Sequence, residues 1–153
     1  MSGPPELAPF GLVLHHDSRW SHEGQPILNT RLREHFDRSV RYLPEERKYI
    51  VTLGHFRGEI EVEECGFFVR VFDSETGRIE LSDLSHETLD PASLHLSAID
   101  EAVICLVKRD LCPEGLPARF MHGAHSELML AVDEEDGAFF LVSAGQRFRL
   151  ELG

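Results

Sequence analysis

The stretch Trp20-Ser21-His22-Glu23-Gly24-Gln25-Pro26-Ile27 decides the expected fold, because part of it returns later in the chain. Its segment Glu23-Gly24-Gln25-Pro26 matches Glu114-Gly115-Leu116-Pro117, 91 residues further on. Glycine and proline at such positions mark turns between regular elements. A turn that recurs at this long spacing predicts two copies of one structural unit.

Other features repeat at the same spacing. Gly54 and Gly145 follow strand-like segments, Tyr49-Ile50-Val51 and Phe140-Leu141-Val142, that are also 91 residues apart. An apolar helical stripe recurs one residue later than this offset: Leu32, Phe36 and Val40 correspond to Ala124, Leu128 and Val132. We therefore expect an α+β protein with a duplicated strand-turn-helix-hairpin unit and antiparallel sheets. Chance recurrence of turn residues is the alternative.

Local patterns predict the individual elements. Asn29 is a helix-capping residue ahead of the first stripe, and Pro44 prevents that helix from continuing. Hairpins are expected at 67–81, turning on Ser74-Glu75-Thr76-Gly77, and at 138–152. Residues 101–109 are apolar on both faces and fit a buried strand or a buried helix, and their β-branched content favours the strand.

The expected organisation is one compact two-lobed unit. A flexible tail over 1–9 precedes a first repeat plus connecting hairpin over 10–100, and a second repeat follows over 101–153. The tail has no basic start and no long apolar run, so it resembles neither a signal peptide nor a membrane span.

Charge and cysteine content restrict the partners and the compartment. The formal net charge of -12 repels nucleic-acid backbones and anionic membranes over most of the surface, so neither partner is expected. Cys65, Cys105 and Cys112 form no Cys-x-x-Cys pair. Their odd number fits reduced, buried thiols in a cytoplasmic protein.

The chain resembles the bacterial "domain of unknown function 1285" family in Trp20-Ser21-His22-Glu23-Gly24-Gln25-Pro26-Ile27 and in Ile60-Glu61-Val62-Glu63-Glu64-Cys65-Gly66-Phe67. Val107-Lys108 and Ala118-Arg119 look like that family's Val-Arg and Glu-Ala-Arg steps. The resemblance implies a duplicated α+β core with a pleckstrin-homology-like second half. It also implies a nucleotide-type ligand between the halves and a role in bacterial signalling.

The sequence departs from the family pattern around the second helix. His122 and His125 stand where the family has Arg and Tyr, and Pro117 replaces the acidic residue of the Glu-Ala-Arg step. A phosphate-binding role for this helix is therefore weakened, or made dependent on pH.

Six residues form the predicted ligand site, and for some of them a purely structural role is the alternative. Lys108 and Arg119, with neighbouring Arg109, are candidates for a basic pocket beside the helix that begins near His122; ordinary surface ion pairs are the alternative. Trp20 and His22 are candidates for a stacking face and a polar tip, although a lone Trp is commonly a core anchor. His122 and His125 complete the predicted set.

Three functions follow from these residues. The first is a non-enzymatic signalling-type module that binds a small anionic or nucleotide-like ligand between its repeats, with no cofactor and no metal. The second is a protein-interaction module that uses a sheet edge or an acidic face. The third is an enzyme with metal held by His122 and His125, although the Zn signature His-Glu-x-x-His is missing. The sequence does not indicate an oligomeric state.

Overall fold

The computed structural model describes residues 8–151, without the side chains of residues 8–10, 53 and 56. These residues contain fifteen β-strands and two α-helices. The first half contains β1 (Ala8–Leu14), β2 (Trp20–His22), β3 (Gln25–Pro26), α1 (Thr30–Ser39), β4 (Arg41–Leu43), β5 (Lys48–Leu53) and β6 (Phe56–Val62). The central strands are β7 (Phe67–Asp73), β8 (Arg78–Leu81) and β9 (His86–Thr88), followed by a 3₁₀ turn at Pro91–Ser93. The second half contains β10 (His95–Leu96), β11 (Val103–Val107), β12 (Leu116–Phe120), α2 (His122–Leu130), β13 (Val132–Glu135), β14 (Ala138–Ser143) and β15 (Gln146–Arg149).

Helix α1 forms where the capping residue and the apolar spacing predict it. The Asn29 side chain accepts a hydrogen bond from the backbone N–H of Leu32 at 3.0 Å, which satisfies one of the free donors of the first turn. Phe36 and Val40 are buried, whereas Leu32 is 39% exposed. The helix ends at Ser39, because residues 41–43 join the sheet as β4.

The strands form three sheets. Sheet A has the order β3-β2-β1-β6-β5-β4, sheet B has the order β10-β11-β12-β7-β8-β9, and sheet C has the order β13-β14-β15. The succession β3-α1-β4-β5-β6 returns as β12-α2-β13-β14-β15, with a three-stranded antiparallel meander after each helix. This order of elements is compatible with the predicted duplicated α+β unit.

The matched turn glycines adopt matched conformations. Gly24 and Gly115 have φ values of 83° and 84°, and Gly54 and Gly145 have φ values of 59° and 73°. Positive φ strains residues that carry a Cβ atom, so the same backbone geometry favours glycine at both copies.

Two pairings differ from the expected antiparallel sheets. Strand β1 runs parallel to β6, and β12 runs parallel to β7. Parallel neighbours need a long crossover connection, and here each crossover carries several intervening strands. Residue alternation identifies a strand but does not reveal such a distant partner.

The remaining element predictions are largely confirmed. Residues 103–107 form strand β11, and the hairpins β7–β8 and β14–β15 turn where expected. The pleckstrin-homology likeness of the second half is not confirmed. Residues 1–7 of the expected tail lie outside the described residues, and Ala8 and Pro9 belong to β1.

A single apolar core connects the two halves. Leu14, Trp20 and Phe36 of the first half belong to the same buried cluster as Leu128 and Leu141 of the second. In residues 8–151 no helix is long and apolar enough to cross a membrane.

Candidate functional site

Arg119 lies at the centre of sheet B. Strand β12 places it opposite Ile104 of β11 on one side and Phe68 of β7 on the other. Its side chain is only 15% exposed. A guanidinium cannot lose its charge in a protein, so a largely buried one requires carboxylate partners.

Two carboxylates hold this guanidinium. Asp100 receives both terminal N–H groups of Arg119 in a bidentate pair, with Nη1 at 3.0 Å from Oδ1. Glu64 Oε1 lies 3.6 Å from Nη1 and has no hydrogen-bond partner among the described residues. The hydrogen bonds from Arg119 hold the pKa of Asp100 at about 2, so the pair stays ionised at neutral pH.

The backbone before β11 positions Asp100. Ser97 donates its hydroxyl to Glu64 Oε2 at 2.5 Å, and the Ala102 N–H donates to Asp100 Oδ1 at 3.2 Å. The Glu101 N–H closes the turn on the Ser97 carbonyl. The loop between β10 and β11 is therefore built to present a carboxylate to β12.

Helix α2 begins two residues after the end of β12. Its N-cap is Met121, which has no side-chain capping hydrogen bond, so free backbone N–H groups remain at this end. His122 is exposed and His125 is half-buried on this first turn. A Cβ atom added at Gly123 would have no neighbour within 4 Å, which leaves open space beside the helix start.

A cleft of about 480 Å³ joins these groups. Arg119, His122 and His125, three of the six residues of the predicted site, all line it. Asp17 and Ser18, in the loop between β1 and β2, also line it. The cleft therefore lies at the seam where the first half meets sheet B, and we call it the seam cleft.

Lys108 is at a different place. Its Nζ donates to Asp83 Oδ2 at 2.7 Å and lies 4.8 Å from the centre of the Phe67 ring. The side chains of Lys108 and Asp83 are 15% and 8% exposed. Neighbouring Arg109 pairs with Asp90 at 3.0 Å. Both cations have the structural ion pairs that were the alternative interpretation, and neither lines the seam cleft.

Trp20 and His22 also lie outside the lining of the seam cleft. Trp20 is 1% exposed, packs against Phe36 with ring centroids 5.3 Å apart, and donates its indole N–H to Asp37 at 2.8 Å. This is the core-anchor position. His22 is exposed at the end of β2.

The described residues contain no group of three His, Cys, Asp or Glu side chains arranged to hold a metal ion. His122 and His125 are thus not joined by a third ligand in the part of the chain that is described. Cys65 and Cys105 are free and buried, as expected, and burial raises the pKa of Cys65 to about 12. Cys112 is free and half-buried.

Sequence reasoning missed the carboxylates of the seam cleft: Asp17, Asp100 and Glu101. One signal was available, because Arg119 interrupts the otherwise apolar segment Leu116-Pro117-Ala118-Arg119-Phe120. A buried arginine implies an acidic partner, although it does not say which of the 27 acidic residues supplies it.

Comparison with solved structures identifies two with this fold. A DUF1285 family protein from Silicibacter pomeroyi DSS-3 is 18% identical with a TM-score of 0.64, over 98% of this chain and 84% of that one. A second, from Shewanella baltica OS155, is 12% identical with a TM-score of 0.53, over 80% of this chain and 91% of that one. No family model and no curated protein matches the sequence. The fold supports the resemblance to the DUF1285 family.

Proposed function

From the fold shared with the two DUF1285 proteins, we propose that this chain is a bacterial binding module that holds a small anionic, nucleotide-like ligand in the seam cleft. The observation that carries the proposal is the convergence of Arg119, His122 and His125 on one cleft at the seam. The two halves share a core, so a ligand between them would stabilise their junction. A signalling-type role would follow from that effect on the seam.

The start of α2 suits the anionic end of such a ligand. Free N–H groups of the first helical turn attract phosphate, and the open space beside Gly123 allows a phosphate to approach the backbone closely. The imidazoles of His122 and His125 add hydrogen-bond donors at the same end.

The carboxylates of the cleft suit a part of the ligand that carries hydrogen-bond donors. Asp17, Asp100 and Glu101 accept hydrogen bonds and repel anions. Asp100 also occupies the Arg119 guanidinium, which limits the attraction that Arg119 exerts on a phosphate. A ligand with donor groups, such as ribose hydroxyls or a base amino group, fits these acceptors better than inorganic phosphate does.

Isothermal titration against a panel of nucleoside monophosphates and diphosphates tests the proposal, with inorganic phosphate as the reference ligand. The double variant His122→Ala/His125→Ala should weaken nucleotide binding by about tenfold or more, since a charge-assisted hydrogen bond is worth ~1.5 kcal/mol or more. Asp100→Asn should tighten it, because the substitution removes a competing anion from Arg119. The control His22→Ala changes an exposed histidine outside the cleft lining and should bind as the wild type does.

Two results of the titration would contradict the proposal. Absence of binding by both the wild type and Asp100→Asn would exclude an anionic ligand in this cleft. Binding that is unchanged in the double histidine variant would place the ligand elsewhere on the protein.

A protein-interaction module is the second candidate, and one observation favours it. Strand β13 is an edge of sheet C and carries Asp133, Glu134 and Glu135. Leu130, the last residue of α2 and two residues before β13, is 82% exposed. An apolar side chain next to an acidic edge is a suitable contact for a basic partner. A pull-down that loses its partner with Leu130→Asp but not with His22→Ala would support this alternative.

A further inference from the structure

Three polar side chains outside the seam cleft form a nucleophile–base–carboxylate series. Ser21 Oγ lies 2.8 Å from His15 Nε2, and His15 Nδ1 lies 3.6 Å from Glu63 Oε2. The His15 and Glu63 side chains are each 36% exposed, and Ser21 is 9% exposed. A hydroxyl within reach of an imidazole, which a carboxylate orients in turn, is the arrangement that activates serine for attack.

Sheet A brings the three residues together. Strand β1 lies between β2 and β6, His15 directly follows β1, and Ser21 is paired with Val13 across the β1–β2 ladder. Glu63 directly follows β6, and its N–H donates to the Leu14 carbonyl at 3.0 Å. Ser21 therefore projects from β2, and His15 and Glu63 project from the residues directly after β1 and β6.

Glu63 is held in place and ionised. It also accepts hydrogen bonds from the side chain and from the backbone N–H of His16. Partial desolvation opposes ionisation, but the hydrogen bonds from His16 and the nearby His15 imidazole outweigh it and lower the pKa of Glu63. A carboxylate facing Nδ1 favours the tautomer with the proton on that atom. Nε2 is then free to accept the Ser21 proton.

A cavity of about 380 Å³ opens onto this series. Ser21 and His15 line it together with Trp20, Pro26 and Arg19, whose side chain is 80% exposed. The low exposure of Ser21, at 9%, favours a small acyl group at Oγ. Arg19 pairs with Asp17 at 3.5 Å, and its guanidinium can face an oxygen that becomes negative.

We propose that Ser21 is the nucleophile of an acyl-transfer site specific for small carboxylic esters. Ser21 Oγ forms a bond to the ester carbonyl carbon while its proton passes to His15 Nε2, and the carbonyl oxygen becomes an alkoxide opposite Arg19. Collapse of this tetrahedral species breaks the bond to the alcohol, which takes the proton from His15. A water molecule then gives a proton to His15 Nε2 while its oxygen bonds to the acyl carbon. The bond from that carbon to Ser21 Oγ breaks, the carboxylic acid leaves, and His15 returns the proton to Ser21.

Labelling with a small alkyl fluorophosphonate tests this site, because the reagent phosphonylates activated serines and releases fluoride. The wild type should be labelled on the Ser21 peptide, as read by mass spectrometry, and should hydrolyse p-nitrophenyl acetate. Ser21→Ala should abolish labelling of that peptide. His15→Gln should slow labelling and hydrolysis by about a hundredfold or more, as loss of a general base does, and Glu63→Gln should reduce both to a smaller extent.

Ser126→Ala is the control, since Ser126 is an exposed serine on α2 that lines neither this cavity nor the seam cleft. It should be labelled as the wild type is, and circular dichroism should show that every variant is folded. The proposal is overturned if the wild type is not labelled at Ser21, or if hydrolysis persists in Ser21→Ala. These readouts do not involve nucleotide binding, so they succeed or fail independently of the seam-cleft proposal.

Discussion

Polar groups that are buried in this protein need a hydrogen-bond or ion-pair partner. Arg119 needs Asp100 and Glu64 because its charge is removed from water. The indole N–H of Trp20 has a comparable requirement and is satisfied by Asp37 at 2.8 Å. Each of these contacts joins residues distant in sequence, so a single polar pair helps to position a whole element.

The Trp20–Asp37 contact gives a pH prediction. Burial raises the pKa of Asp37 above its ordinary 3.8, despite the hydrogen bond from Trp20 and the nearby Arg70 and Arg33. The folded protein therefore binds this proton more tightly than the unfolded chain, and the stability due to Asp37 falls as pH rises from about 4 through the raised pKa. Asp37→Asn keeps an oxygen acceptor for Trp20 but cannot ionise, so its stability should fall less between pH 4 and pH 7.

Urea unfolding followed by far-ultraviolet circular dichroism at pH 4, 5.5 and 7 measures this difference. Asp37→Ala is the comparison variant: it leaves the buried indole N–H without an acceptor and should lose ~1–3 kcal/mol at pH 7. If Asp37→Asn and Asp37→Ala lower the free energy of unfolding equally at pH 7, the ionised carboxylate and not the acceptor oxygen stabilises the fold.

Close contacts between elements are illustrated by the segment that links β6 to β7. A Cβ atom added at Gly66 would overlap the Tyr49 ring of β5, and that ring also packs edge-on against Tyr42, with centroids 5.1 Å apart. The Tyr49 ring therefore packs directly against the Gly66 backbone, in the space that a side chain at position 66 would occupy. A substitution here must displace an aromatic cluster.

Gly66→Ala is expected to lower the free energy of unfolding by ~1–3 kcal/mol, as overpacking of a core does. The matched control is Gly123→Ala on α2, where an added Cβ meets nothing within 4 Å and should raise stability by ~0.5–1 kcal/mol through helix propensity. Thermal unfolding of both variants checks the prediction. A Gly66→Ala variant as stable as the wild type would show that Tyr49 can move aside.

The elements also show how far a single sequence predicts this structure. Signals within about ten residues succeeded: the Asn29 cap, the turn at 74–77 and the final hairpin are where the pattern places them. Local signals failed where tertiary pairing decides, since α1 ends at Ser39 so that β4 can join β5. The parallel pairings β1–β6 and β7–β12 depend on partners that alternation does not specify.

The candidate site follows the same division. The sequence predicts Arg119 and Lys108 as cations beside a helix that begins near His122, and the structure places Arg119, His122 and His125 on the seam cleft. Lys108 lies elsewhere, bonded to the carboxylates of Asp83 and Glu87. Neither its charge nor its likeness to the family's Val-Arg step reveals those carboxylates, because only the fold brings them near.

At the scale of the whole molecule, the two halves share one core. Trp20 and Phe36 of the first half and Leu128 of α2 belong to one buried cluster, and the central hairpin β7–β8 joins the second half through β12. Half of such a core would bury too little apolar surface to be stable alone. The repeats should therefore unfold together, although the element order repeats along the chain.

The single tryptophan makes this cooperativity measurable. Trp20 fluorescence reports the first half, whereas far-ultraviolet circular dichroism reports the strands of both, so the two urea transitions should coincide. Leu128→Ala should lower stability by ~2–5 kcal/mol through a cavity in the second half, and the Trp20 midpoint should shift as far as the circular dichroism midpoint does. A Trp20 transition that stays in place while the other moves would mean that the halves are separate folding units, and a ligand in the seam cleft would then act by bringing them together.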